Sequence, residues 1–299
     1  MSIAAEVRDP NLPPGSIPRG VAPRPGPPDE QSAIQPHAAA TSARPRMGWR
    51  RLVIALRSFA AFAVLWYALS LWNNNPIQLP TPVQVVSALS VLTVNGELFE
   101  HALISTTRLA ISLAAAIAFA VPLGFLMGLS RHANAFIDPL VEMLRPISGI
   151  AWIPLGLFIF GVGDTLPVFI MVYVAFFPLL LNTVAGVRGV DQRLILAART
   201  MGVGPASILR HIIVPSALPT IMVGVRLAFA GAWAAIVAAE LIGSPSGLGF
   251  AIEWYRQLLM TPKVFGFIVV IGLIGYACDA VFRAVQRWLT PWSEGTGLQ

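Results

Sequence analysis

A bundle of membrane-spanning α-helices is the fold class this sequence predicts, on three observations. Hydrophobic residues make up 56% of its 299 positions and charged residues 11%, against about a quarter charged in soluble domains. Charge-free runs at residues 109–129 and 165–187 are each long enough to cross about 30 Å of hydrocarbon as a helix. Both runs are apolar on every face, whereas the strands of a spanning barrel alternate polar and apolar side chains, so helices are expected to satisfy the backbone in lipid.

The first 46 residues are a different material, with ten prolines, scattered charges and no apolar stretch of signal-peptide length. Such a segment buries too little apolar surface to offset its chain entropy, so residues 1–46 are expected to be a disordered cytoplasmic tail. Residues 47–291 should form the membrane domain, and 292–299 a short second tail. Six spans are expected within that domain, at 52–72, 103–129, 143–162, 165–187, 217–241 and 264–285. Pro122, Pro154, Pro167, Pro178 and Pro219 fall inside them. They would break soluble helices, but neighbouring helices in a bundle satisfy the carbonyls that proline frees.

Orientation follows from the basic residues that flank each span. Arg44, Arg46, Arg50 and Arg51 precede the first span, Arg131 lies between the second and third, and Arg283 and Arg287 mark the end of the sixth. Arg188, Arg193, Arg199 and Arg210 crowd the connection between the fourth and fifth. The opposite loops, 73–102, 163–164 and 242–263, hold only Arg256 and Lys263 against Glu97, Glu100, Asp164 and Glu253. Both termini are therefore assigned to the cytoplasm. In the last of these loops, Phe250-Ala-Ile-Glu-Trp-Tyr-Arg256 sets aromatics beside charges. It reads either as a short amphipathic helix in the interface or as a contact for a soluble partner.

A formal charge of +6 does not point to nucleic acid here, because the arginines sit at span ends rather than among aromatics on one face. Lys263 is the only lysine, and no G-x-x-x-x-G-K-[ST] phosphate loop can be written in the chain. His37, His101, His132 and His211 are scattered and suggest no paired metal ligands. Cys278, the single cysteine, lies in an apolar run and reads as packing.

The arginine-rich connection at 188–215 is the longest charged interruption of the apolar part. Gly204-Pro205 divides it into two helical stretches, since glycine suits the residue outside a helix end and proline a first turn. Ala197, Ala198 and Gly202 are small enough to let another protein's surface approach, while Ile208, Ile212 and Ile213 offer a stripe that would hold the loop to its own bundle.

Leu196-Ala-Ala-Arg-Thr-Met-Gly202, nine further residues, then Ile212-Ile-Val-Pro215 resembles the EAA loop of ABC-importer permeases. Leu196 stands where that family usually carries glutamate, and Val214 where it carries leucine. Leu144-Arg-Pro-Ile-Ser-Gly-Ile-Ala-Trp-Ile-Pro154, Phe160 to Asp164, Phe176 to Thr183, Ala239 to Gly243 and Ser246 to Gly249 are similar to the nitrate, sulfonate and taurine permeases. The resemblance covers the membrane domain and stops at the proline-rich tail. It implies the type I importer fold of six helices in a bacterial inner membrane, with a cytoplasmic coupling helix whose residues would be Leu196, Ala197, Ala198, Arg199, Gly202, Ile212 and Pro215. It also implies two cytoplasmic ATP-binding subunits carrying ATP and Mg, a soluble or lipid-anchored substrate-binding protein, and a second permease copy in a homodimer. No cofactor or enzymatic chemistry falls to this chain. Substrates of the family suggest a small anion such as nitrate, a sulfonate or taurine, with an aromatic or pyrimidine-like compound as the alternative. A gradient-driven transporter would show an inverted repeat and intramembrane acids for coupling, and neither is evident.

Charges inside spans are the remaining candidates, because each costs at least about 2.5 kcal/mol at the bilayer centre unless it meets water or a partner. Arg226 lies deepest, and either attracts an anionic substrate or bonds to carbonyls at a helix contact. Glu240, about 21 Å further along the same helix, is out of its reach, and serves either a gate or receptor contact or a helix-end bond. Arg57 and Arg108 are expected to snorkel, and Asp279 to pair with Arg283 one turn on. Trp152, Tyr173, Asn182 and Trp233 sit on spans that surround the pathway in the family, with packing as their ordinary alternative.

Overall fold

The computed structural model describes residues 49–292, and every element in that range is helical. In chain order these are α1 (Trp49–Asn73), α2 (Pro82–Val94), α3 (Glu97–Leu129), α4 (Arg131–Leu144), α5 (Ile153–Phe160), α6 (Thr165–Arg188), α7 (Gln192–Thr200), α8 (Pro205–Ile208), α9 (Val214–Gly243), α10 (Leu248–Gln257) and α11 (Thr261–Leu289). Among the described residues four helical runs are long and apolar enough to cross a membrane, or five if α4 and α5 make one broken span. The expected tails at 1–46 and 292–299 lie outside the described residues, Trp292 excepted.

α6 is the hub, packed along its length between α3 and α9. Small residues set how closely the three approach, as lipid offers no competing hydrophobic drive between helices. A Cβ on Gly124 would stand 2.6 Å from the Thr183 side chain, and one on Gly128 2.6 Å from Val187. On the other flank, a Cβ on Gly224 would come within 2.6 Å of Asn182. The helices run through their internal prolines, Pro122, Pro178 and Pro219, while Pro154 sits in the first turn of α5, where a missing N–H costs nothing.

Three expectations change here. The span expected at 143–162 is not one helix: the α4 segment and the Gly149–Phe160 segment meet at 82°. Pro146 cannot donate to the ladder, and Ser148 is extended, with φ −64° and ψ 136°. The bend is held by Tyr173, whose hydroxyl donates to the Leu144 carbonyl at 2.7 Å, and by Gly149, where a Cβ would lie 2.4 Å from Val174. The fifth span begins earlier than expected, as Pro205–Gly243 is one helical run of 39 residues through a wide turn at Leu209–Ile213. Residues 73–102, read as a loop, contain α2, started by a capping box in which Gln84 N–H donates to Thr81 Oγ1 at 3.3 Å and Thr81 N–H to Gln84 Oε1 at 2.9 Å.

Segment 250–256 belongs to α10, which packs on α9 and α11 through buried Leu248, Ala251, Ile252 and Tyr255. The protein itself thus covers the inner face of that amphipathic helix, and Trp254 and Arg256 remain exposed.

Candidate functional site

The charged connection is built on α7. Asp191 caps it by accepting from the Arg193 N–H at 2.8 Å. At its other end Gly202 takes a left-handed φ of +76°, with its N–H on the Arg199 carbonyl at 3.0 Å and that of Val203 on the Ala198 carbonyl at 3.0 Å. This is a Schellman closure, which needs a residue without a Cβ penalty at that point. Gly202 is therefore required for the turn, a reason beyond the small size that the sequence suggested. Space around it is open, with nothing within 4 Å of where a Cβ would stand.

Leu196, Ala197, Arg199 and Gly202 are exposed together. Ala198 is not among them: it is 3% exposed and joins the core with Ile208 and Ile213. Ile212 and Pro215 lie at the root of α9. So α7 presents Leu196 and Ala197 outward, and the isoleucine stripe holds the connection to the bundle as expected. A cavity of about 1130 Å³ beneath it is bordered by Arg131, Arg188 and Arg199, with no carboxylate among the described residues that line it.

A second cavity of about 650 Å³ lies among the α4–α5 bend, α6 and α9. Tyr173 and Asn182 line it, with Arg145 and Ser148 from the bend. Asn182 is fixed by donating to the Pro178 carbonyl at 2.7 Å. Trp152 does not line this space but packs against Tyr173, with ring centroids 5.6 Å apart, and its Nε1 is buried without an acceptor among the described residues.

The other pathway candidates sit elsewhere. Trp233 stacks on Phe229 and its Nε1 donates to the Ile271 carbonyl of α11 at 3.3 Å, which is packing. Arg226 does not bond carbonyls and does not reach the cavity: its Nε donates to Asp279 of α11 at 2.6 Å. Asp279 also receives Arg283, the pairing expected from their spacing.

Arg108 does not snorkel. It is 3% exposed, because it finds carboxylates on two other segments: its Nη1 donates to Glu240 at 2.7 Å and its Nε to Asp164 at 3.0 Å. Nη1 also reaches the Ser246 carbonyl at 2.8 Å and Nη2 the Ser246 hydroxyl at 2.8 Å. Glu240, fully buried, further accepts from Ser105 Oγ at 2.8 Å and Gly249 N–H at 3.0 Å. Gly247 has a φ of +107° and passes so close that a Cβ would lie 2.4 Å from the Glu240 carboxyl. This network ties α3, α9, the turn before α6 and the start of α10 into one end of the bundle. Sequence spacing carried no signal for it, since Arg108 lies 56 positions from Asp164 and 138 from Ser246.

Beside it, on α10, burial and the neighbouring Glu97 push the Tyr255 phenol up to about 12, and Tyr255 donates its hydroxyl to Glu97. Arg256 and Gln257 hold the half-buried Glu253 carboxyl down at about 2.

Comparison with known proteins agrees with this architecture. The sequence profile of the binding-protein-dependent transport system inner membrane component family matches residues 120–294. The chain is 34% identical over 258 residues to the taurine transport system permease protein TauC of Escherichia coli, covering 83% of this chain and 94% of that one. It is 34% identical to a putative aliphatic sulfonates transport permease protein of Bacillus subtilis, over 83% of this chain and 90% of that one. It is 30% identical to the bicarbonate transport system permease protein CmpB of Synechococcus elongatus, over 81% and 92%. In fold it is similar to an inward-facing structure of the MetNI methionine ABC transporter, with a TM-score of 0.53 at 21% identity, over 64% of this chain and 98% of that one. The chain belongs to the inner-membrane components of binding-protein-dependent transport systems, as the permease component of an ABC importer.

Proposed function

We propose that this permease carries a small anion inward across six spans with both termini in the cytoplasm, as one half of a homodimer. Two separate ATP-binding subunits, holding ATP and Mg, grip α7 from the cytoplasm. A soluble or lipid-anchored binding protein delivers substrate at the opposite end, where the Arg108 network lies. Closure of the ATPases moves α7, and α7 moves the bundle between inward and outward openings.

The observation that carries this reading is the form of α7. A helix of nine residues stands out from the bundle with Leu196 and Ala197 exposed, yet is anchored by Ala198, Ile208 and Ile213 in the core. It has a free face for a partner and is joined to α9 through the Gly202 turn and the helical run from Pro205 to Gly243, with Ala198, Ile208 and Ile213 packed in one core. A push on α7 is therefore delivered to the wall that carries Gly224 and Gly231 against α6. Leu196 in place of the family's glutamate makes the grip apolar at that point.

Ala197→Trp tests it in vesicles reconstituted with the ATPase and binding protein. The variant should insert and keep the thermal stability of the unmodified chain, since Ala197 faces outward, but lose both binding-protein-stimulated ATP hydrolysis and uptake. Retention of both activities would overturn the docking role. Gly202→Trp should also uncouple, but it strains the left-handed turn as well, so Ala197→Trp is the cleaner probe.

A further inference from the structure

The cavity beside α6 contains a charge that the rest of the molecule leaves unanswered. Arg145, at the α4–α5 bend, makes no side-chain hydrogen bond or ion pair with any described residue, and is the only charged side chain lining the cavity. Glu142, one turn earlier on α4, neither lines the cavity nor pairs with it. The bend is pinned by Tyr173, which lies roughly 12 Å along the roughly 36 Å of α6 at 1.5 Å per residue. Arg145, exposed in the single chain, is thereby held beside α6 within its length rather than at its end, and a guanidinium unpaired inside a membrane span is costly unless water or an anion meets it. Arg108 and Arg226, the other arginines at depth on α3 and α9, are both neutralised by carboxylates.

The surroundings suit an oxyanion. The cavity of about 650 Å³ is within the range of small-ligand sites. Ser148, Tyr173 and Asn182 supply polar groups, the remaining lining is largely apolar, and no carboxylate among the described lining residues competes for the guanidinium. A planar fork of N–H donors matches the paired oxygens of a sulfonate, carboxylate or similar group.

We propose that Arg145 is the anion-recognising residue of the transport pathway, its guanidinium meeting the oxyanion of a small substrate in the cavity lined by Tyr173 and Asn182. The proposal rests on the permease reading above and names the chemistry of its pathway.

The test uses the assembled importer, with its ATPase and binding protein, in vesicles offered radiolabelled taurine, ethanesulfonate, nitrate and bicarbonate. For whichever of these the unmodified importer takes up, Arg145→Gln should lower uptake at sub-saturating anion by at least about ten-fold, the loss of a charge-assisted hydrogen bond. Arg145→Lys should retain more than Arg145→Gln, as it keeps the charge but not the fork. Unchanged uptake by Arg145→Gln overturns the proposal. Loss of the assembled complex in both variants, measured by size on the same samples, also overturns it, because Arg145 would then be a contact between permease copies. If the unmodified importer couples ATP to uptake of a neutral heterocycle and of none of the four anions, this proposal and the small-anion part of the proposed function fail, while the ATP-coupled permease reading stands. If ATP drives no uptake at all, the permease reading fails with it.

Discussion

At the level of single residues, Arg108 and Glu240 are the charged side chains buried most deeply among the described residues. Each is almost wholly enclosed, so removing Arg108 leaves the Glu240 carboxylate an uncompensated ion, a loss of about 3–5 kcal/mol, whereas Arg108 keeps Asp164 when Glu240 is removed. Arg108→Leu should lower the unfolding temperature in detergent sharply, and Arg108→Leu with Glu240→Leu should recover much of that loss. A double variant as unstable as the single one would contradict the pairing. Gly247→Ala should be destabilising by about 1–3 kcal/mol from backbone strain alone, with the Glu240 carboxyl blocking the new methyl. The sequence showed Arg108 and Glu240 as in-span charges but not as partners, because the contact is made by helix packing and not by spacing. Arg226 drew attention for its depth, yet depth is no guide to what a side chain faces: Asp279 on α11 takes it, and Arg145, hidden in an apolar-looking span, lines the cavity instead.

Among the elements, what repeated along one helix was legible and what depended on two was not. The long apolar runs marked α6 to within a residue and the apolar parts of α3 and α11 without their polar ends, since a hydrocarbon-length run has no competing structure. The α4–α5 bend was missed because 143–162 is largely apolar, and its direction is set by Tyr173 and Val174 on another helix. α2 was missed because it packs on α11 rather than standing alone. Gly224→Leu should separate α9 from α6 at Asn182, costing about 1–3 kcal/mol or more of stability by overpacking and lowering uptake. Normal uptake and stability would show that this approach is not needed. On α10 the folded phenol of Tyr255 lies near 12 against about 10 for a free one. A raised value for an acid means the neutral form is favoured in the folded state, so this contribution is whole below about pH 10 and is lost as pH rises through about 12. Spectroscopic titration should show a tyrosine phase about two units late that Tyr255→Phe removes.

For the whole molecule, the composition made the membrane bundle legible, and the motif spacing singled out the connection at 188–215 as a candidate docking element. How that connection is mounted was not legible. Continuity of the helical run from Pro205 to Gly243 and the inward turn of Ala198 emerge only when α7 meets the bundle. Coupling needs one geometry: α7 in the cytoplasm, against a nucleotide-binding partner, with Ala197 at the contact. A cysteine at that position reports it directly, in a chain whose only native thiol has been removed by Cys278→Ala. Ala197→Cys, alkylated from the cytoplasmic side with benzophenone maleimide and irradiated, should form an ATP-sensitive crosslink to the copurified ATPase subunit, and the free thiol should resist an impermeant maleimide added outside intact cells. Labelling from outside, or no crosslink in an assembled and active transporter, would contradict the coupling role of α7.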